Sequence, residues 1–186
     1  MRADPFGYFD YDNRAQRALA DMLEGIADSL PDEINRASAA LAAGLLRSAI
    51  AHHDAIEEQA LFPLIEARAP LGASLRRAVA IARREHGETI GRAIELAEEL
   101  DALARTGRAR NAESLGFMLR AFFDGLRRHM DWAEATIHQQ ARDLLTREDL
   151  VTLGIRLAAI AAREGVRERG GFAVIEGGAM EAHGAA

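Results

Sequence analysis

Apolar residues recur along this chain at intervals of three and four, and Pro, Gly and capping residues cut the rhythm into five stretches. Leu19, Met22, Leu23, Ile26 and Leu30 share one face of a first helix, read from about Asp12 to Leu30 and closed by Pro31. A second, from about Glu33 to Glu66, carries Leu41, Leu45, Ile56 and Leu64 among small Ala residues, with Pro63 in its last turns and Pro70 closing the connection. The third runs from about Leu71 to Arg105 through Leu75, Val79, Ala82, His86, Ile90, Ala93, Leu96 and Leu100, with Gly107 as its stop. The fourth opens at Asn111, a helix-capping residue, and passes Leu115, Leu119, Phe122, Leu126, His129, Trp132 and Thr136 on the way to Leu145. Thr146-Arg-Glu-Asp149 fits a capping box with Asp in the Glu place, and it starts a shorter fifth helix from Arg147 to about Glu164. No stretch alternates with a period of two, so the pattern predicts an all-α fold. Four long helices on short loops predict an antiparallel up-down-up-down four-helix bundle over residues 1–165, with the short fifth C-terminal helix packed across one end. Residues 166–186 are Gly-rich and read as a flexible tail, in which Phe172-Ala-Val-Ile175 is a docking candidate.

Composition narrows the chemistry. A chain of 186 residues builds one domain with a real core. Cys is absent, which excludes disulfides and thiolate metal sites. Lys is absent too, and the acids outnumber the Arg residues to leave a net charge of -6. Such a chain lacks the basic face that phosphate contacts require, so nucleic acid is not an expected partner. No apolar run has the length of a signal-peptide core or a membrane span, so the expected location is cytoplasmic, without a membrane.

The remaining chemistry lies in His and Glu. His53 and Glu57 are four residues apart and share a helix face, and an imidazole and a carboxylate so placed can ligate one transition metal ion. His86 lies within the apolar stripe of the third helix and His129 within that of the fourth. In a bundle of alternating direction, the three heights can coincide, which makes His53, Glu57, His86 and His129 the candidate metal set. Each has a plainer reading: a solvated His–Glu pair, or a core His with an ordinary hydrogen bond. His52 reads as surface, His138 and His183 as incidental, and the Arg83-Arg84 and Arg127-Arg128 pairs as solvated faces. Phe122, Phe123 and Trp132 read as core. No nucleophile motif is present, and no catalytic residue is assigned.

His53-x-x-x-Glu57-Glu58-x-x-Leu61-Phe62-Pro63, Glu85-His86 and His129, in this order, resemble the hemerythrin-like family, the HHE cation-binding domain. The resemblance covers about residues 8–165. It implies a four-helix bundle with a carboxylate-bridged non-haem di-iron centre, in proteins that bind dioxygen, sense oxygen, iron or redox state, or handle nitric oxide. The sequence departs from the family pattern twice. Asn13 stands where the first helix of the family carries a His, and Ala133 stands where the fourth carries a Glu. Those losses predict a reduced or mononuclear iron site, with Asp12, Asn13 or Glu134 as substitutes for a missing ligand if two ions are held. The expected function is metal binding with dioxygen or nitric oxide as ligand, more a sensor or carrier than an enzyme. The alternative is a degenerate, metal-free helical bundle acting through protein–protein contacts.

Overall fold

A computed structural model describes residues 4–68 and 73–180, with side chains through Arg163. All regular structure among the described residues is helical, in five helices. Helix α1 is Phe6–Ser29. Helix α2 comprises Arg36–Ala55, a π-helical segment Ile56–Leu61 and a last stretch Phe62–Ala67. Helix α3 is Ala73–Thr106. Helix α4 comprises Ala112–Ala133, a second π-helical segment Glu134–His138, and Gln139–Leu144. Helix α5 is Arg147–Met180.

Local chemistry sets the ends. Asn35 Oδ1 accepts from the backbone N–H groups of Ala37 at 3.0 Å and Ser38 at 3.1 Å, and Asn111 Oδ1 accepts from Ser114 at 2.9 Å. Each satisfies donors that have no partner within the helix. Gly107 takes a positive φ of 70°, which an L side chain rarely adopts, and turns the chain out of α3. The expected capping box is formed: Thr146 N–H donates to Asp149 at 2.9 Å and Asp149 N–H donates to the Thr146 hydroxyl at 3.3 Å.

Several boundaries and faces differ from the pattern. Helix α1 begins at Phe6, six residues before Asp12, because Phe6 and Phe9 are buried and hold the extra turns in the core. Helix α5 runs to Met180 rather than about Glu164. It contains no Pro, and Gly within a helix costs about 1 kcal/mol rather than stopping it. The Pro70 turn and residues 181–186, with His183, lie outside the described residues, as do the side chains of Phe172–Ile175. Leu41 and Ile90 are exposed, since the small Ala residues beside Leu41 make the contact in its place and Ala93 does so beside Ile90.

Two hydrophobic clusters fill the bundle, and each of α1 to α4 crosses from one to the other. Helix α1 places Phe6 and Phe9 in one cluster and Leu19, Leu23 and Ile26 in the other. Helix α2 passes from Leu46 and Ile50 in the second to Ile56, Leu61 and Phe62 in the first. Helix α3 passes from Leu75 and Val79 to Leu96 and Leu100, and α4 from Leu119 and Leu126 to Ile137 and Ala141. Leu153, Leu157 and Ile160 of α5 join the first cluster alone. Where the clusters meet, α1 contributes Asp12, Asn13 and Gln16, α2 His53, Asp54 and Glu57, and α3 His86, all buried. The core is thus two apolar bodies with a polar layer between them.

In urea unfolding, Asn35→Ala is expected to cost about 1 kcal/mol, the usual value of a lost helix cap. Leu46→Ala, which opens a cavity inside one cluster, is expected to cost about 2–5 kcal/mol.

Candidate metal centre

The polar layer is built by helices that would not ordinarily place charge at mid-height. In α2 the N–H of Phe62 bonds to the carbonyl of Glu57, five residues back, so the turn is widened and Glu57 is re-aimed. Pro63 follows, and a widened turn accommodates a residue that has no N–H and presses on the carbonyl behind it. In α4 the N–H of Gln139 bonds to the carbonyl of Glu134 in the same way, with no Pro nearby. Pro63 therefore fits the first widened turn but does not explain both.

The four sequence candidates are brought together. His53, Glu57, His86 and His129 each present one ligand atom, and these atoms all lie within 4.8 Å of one another. The three imidazoles form a near-regular triangle, with ring centroids 5.7 Å apart for His53 and His86, 5.6 Å for His53 and His129, and 5.3 Å for His86 and His129. Glu57 Oε2 lies 3.2 Å from His86 Nε2 and 3.9 Å from His53 Nε2, without hydrogen-bond geometry to either. The Nε2 atoms of His53, His86 and His129, and Glu57 Oε2, are all buried without a hydrogen-bond partner. Buried polar atoms left so are uncommon and call for an explanation such as an ion.

The opposite side of every ring is anchored. His53 Nδ1 bonds to Asp12 at 2.7 Å, His86 Nδ1 to Glu58 at 3.0 Å, and His129 Nδ1 to Glu85 at 2.9 Å. A carboxylate at Nδ1 draws the proton there and turns the Nε2 lone pair inward, the arrangement found behind metal-bound histidines. The anchors follow chain order: α1 holds the histidine of α2, α2 that of α3, and α3 that of α4. Glu85, adjacent to His86 in sequence, thus serves His129. These anchors grade from dry to wet. Asp12 and His53 are 5% and 4% exposed, Glu58 and His86 31% and 6%, and Glu85 and His129 41% and 12%. A cleft of about 400 Å³ between α3 and α4 reaches His129 and Glu85, with Trp132 and Arg128 also on its wall.

The electrostatics follow from burial and from mutual proximity. Burial pushes Glu57 up, but charge on His53 and contacts from His138 and His86 outweigh it and hold the carboxyl well below its usual range. Burial opposes a proton on His86, yet Glu57, Asp54 and Glu58 lift the imidazole to about 9. His53 is raised against the same penalty by Glu57 and Asp12, whereas burial prevails at His129 and lowers it. Burial also pushes Asp54 up; its Oδ1 is 3.9 Å from His86 Nε2.

Three sequence expectations change here. His138 is not incidental: it is fully buried, and its Nε2 lies 2.7 Å from Glu57 Oε1. Its signal was an internal repeat, because His138 follows His129 at the same spacing as Phe62 follows His53. His52 is half-buried against Tyr8, whose hydroxyl lies 3.3 Å from its Nε2, because α1 begins early enough to cover it. Arg83 is not simply solvated; it bonds to Glu58 and Glu66 and lies over the Phe62 ring. The three residues weighed as substitute ligands stay outside the group. Asp12 anchors His53, Glu134 pairs with Arg17 at 3.0 Å, and Asn13 is buried with neither amide atom partnered among the described residues.

Asp12→Ala strands a fully buried imidazole and is expected to cost about 1–3 kcal/mol in urea unfolding, whereas Glu85→Ala, at the half-exposed anchor, is expected to cost less than about 1 kcal/mol.

Among the described residues, no helix is long and apolar enough to cross a membrane. No curated protein and no solved structure matches the chain. The family model of the hemerythrin HHE cation-binding domain matches residues 4–141, most of the chain and all of the polar layer. The chain belongs to the hemerythrin HHE cation-binding domain family.

Proposed function

We propose that this chain holds one non-haem iron ion through His53, Glu57, His86 and His129, and that it senses or carries iron or a diatomic ligand such as dioxygen or nitric oxide. One observation carries the reading: three Nε2 atoms and one carboxylate oxygen converge, buried and unpartnered, while each of the three rings is anchored from behind by its own carboxylate. Imidazole and carboxylate donors suit iron among other divalent transition metals. At bond lengths of about 2.1 Å, donors on one ion lie at most about 4.2 Å apart, so a small inward movement of the present set suffices. A bound iron would supply an open coordination position for a small ligand. The residues of the chain orient the donors, exclude water on the His53 side, and leave the α3–α4 cleft as the approach beside His129.

The metal-holding unit is the bundle of residues 1–165, and its arrangement is up-down-up-down. The order in which α1 to α4 visit the two clusters alternates from each helix to the next, which supports that topology.

A second reading, a metal-free bundle acting by protein contact, is favoured by one observation. A protonated His86 paired with Glu57 balances the buried charge without an ion. Elemental analysis of protein purified without chelator separates the two. One iron per chain is expected, together with its loss in Glu57→Ala. Two tightly held irons, or no metal in the wild type, would sink the proposal. Saturating the apo protein with ferrous iron at 100 times its dissociation constant should stabilise it by about 2.7 kcal/mol, and should leave Glu57→Ala unmoved.

A further inference from the structure

The stretch around the second widened turn repeats the first. Laying His129–Gln139 on His53–Pro63 pairs His129 with His53, Glu134 with Glu58, Ile137 with Leu61 and His138 with Phe62, and each stretch contains a π-helical segment. At two buried positions the chemistry is changed. Where α2 has Glu57 and Phe62, α4 has Ala133 and His138. A carboxylate has been lost and an imidazole gained. Phe62 lies flat against the His86 ring, with centroids 5.9 Å apart and planes 4° from parallel. His138 instead packs beside Phe9 at 5.0 Å and puts Nε2 onto Glu57 Oε1 at 2.7 Å.

We propose that His138 is the positioning residue of Glu57 and fixes the number of ions at one. The inference rests on the one-ion reading above. A carboxylate free at both oxygens can chelate one ion or bridge two. In this chain Oε1 is engaged by His138, and only Oε2 faces the three unpartnered Nε2 atoms. His138 Nδ1 is buried with no partner, so the ring is best satisfied with its proton on Nε2, donating to Oε1. Glu57 is then tied to α4 from one side and offers a single oxygen from the other. The loss at Ala133 and the gain at His138 act together: one removes the second carboxylate, and the other occupies the oxygen that a second ion would need.

The test is titration of the metal-free protein with cobalt(II) and ferrous iron, under chelator competition, in wild type, His138→Phe and His138→Gln. Wild type is expected to bind one ion per chain. His138→Phe, the residue that α2 carries at the matching place, should lose about 10–100-fold in affinity, the usual effect of removing a group that orients a ligand. Its cobalt visible bands should also shift as Glu57 becomes free to chelate. His138→Gln, which keeps an N–H donor, should recover wild-type spectra and affinity to within a few-fold. Circular dichroism of the apo proteins reports folding, and the Gln variant keeps the test open if the Phe variant does not fold. One ion in wild type with unchanged affinity and spectra in both variants would overturn the role of His138 while leaving the one-ion reading intact. Two ions in wild type, falling to one in the variants, would make His138 a ligand and overturn both. No ion in wild type would overturn the functional reading, and this inference with it.

Discussion

A carboxylate sealed in the middle of a helical bundle must be compensated where it stands. Glu57 is fully buried, and four imidazoles from three helices are disposed around it. Removing an ion from water is expensive, and its neighbours must repay the cost through contacts of good geometry. Much of the middle of the molecule can be read from that requirement. The widened turn of α2 re-aims the side chain, the two apolar clusters part to leave a polar layer, and His138 meets one carboxylate oxygen while three imidazole nitrogens face the other. Those histidines in turn need acceptors at their far nitrogens, which Asp12, Glu58 and Glu85 provide. The acidic excess of the chain is partly spent here, on partners for imidazoles rather than on surface solubility.

Most of the scaffold was legible from spacing. The cap at Asn111, the capping box at Thr146 and the stop at Gly107 depend on two to four neighbouring residues, and local patterns report them well, whereas Asn35, which caps α2, lay inside the helix read from about Glu33. The four convergent side chains were legible as well, because each lies in an apolar stripe or at helical spacing from another that does. What escaped was whatever depends on the partner helix. Asp12 reads as a first-turn acid weighed as a substitute ligand, and its place behind a ring emerges only once His53 is set opposite it. Glu85 reads as the companion of His86, its neighbour in sequence, although successive residues on a helix point about 100° apart and it serves His129 instead. His138 was hidden for another reason: its phase on α4 depends on a π-helical turn, and a strict 3.6-residue period cannot follow that shift. Helix α5 overran its expected end because Gly weakens a helix without stopping it.

Membership of the hemerythrin HHE cation-binding family accounts for the general plan, and the particular residues give this chain its own character. Asn13 and Ala133, the two positions that the sequence comparison with the family motif reads as departures, are both buried. Asn13 puts an amide with two unpartnered atoms beside Asp12, and Ala133 puts a methyl group where a carboxylate would carry charge. Relative to that pattern, Ala133 leaves one carboxylate fewer and Asn13 one imidazole fewer in the middle of the bundle.

The anchoring bonds from Asp12, Glu58 and Glu85 run in one direction, from α1 to α4, and do not close into a ring. No histidine of α1 awaits an anchor from α4, since Asn13 stands where one would be. The centre therefore has polarity, with a dry end at His53 and a wet end at His129. Damage at the dry end registers as a folding defect, because a buried pair is broken, while change at the wet end registers as altered exchange with solvent. Substitution at Glu85 and its surroundings thus changes how far solvent reaches the cluster without touching the buried Asp12–His53 pair.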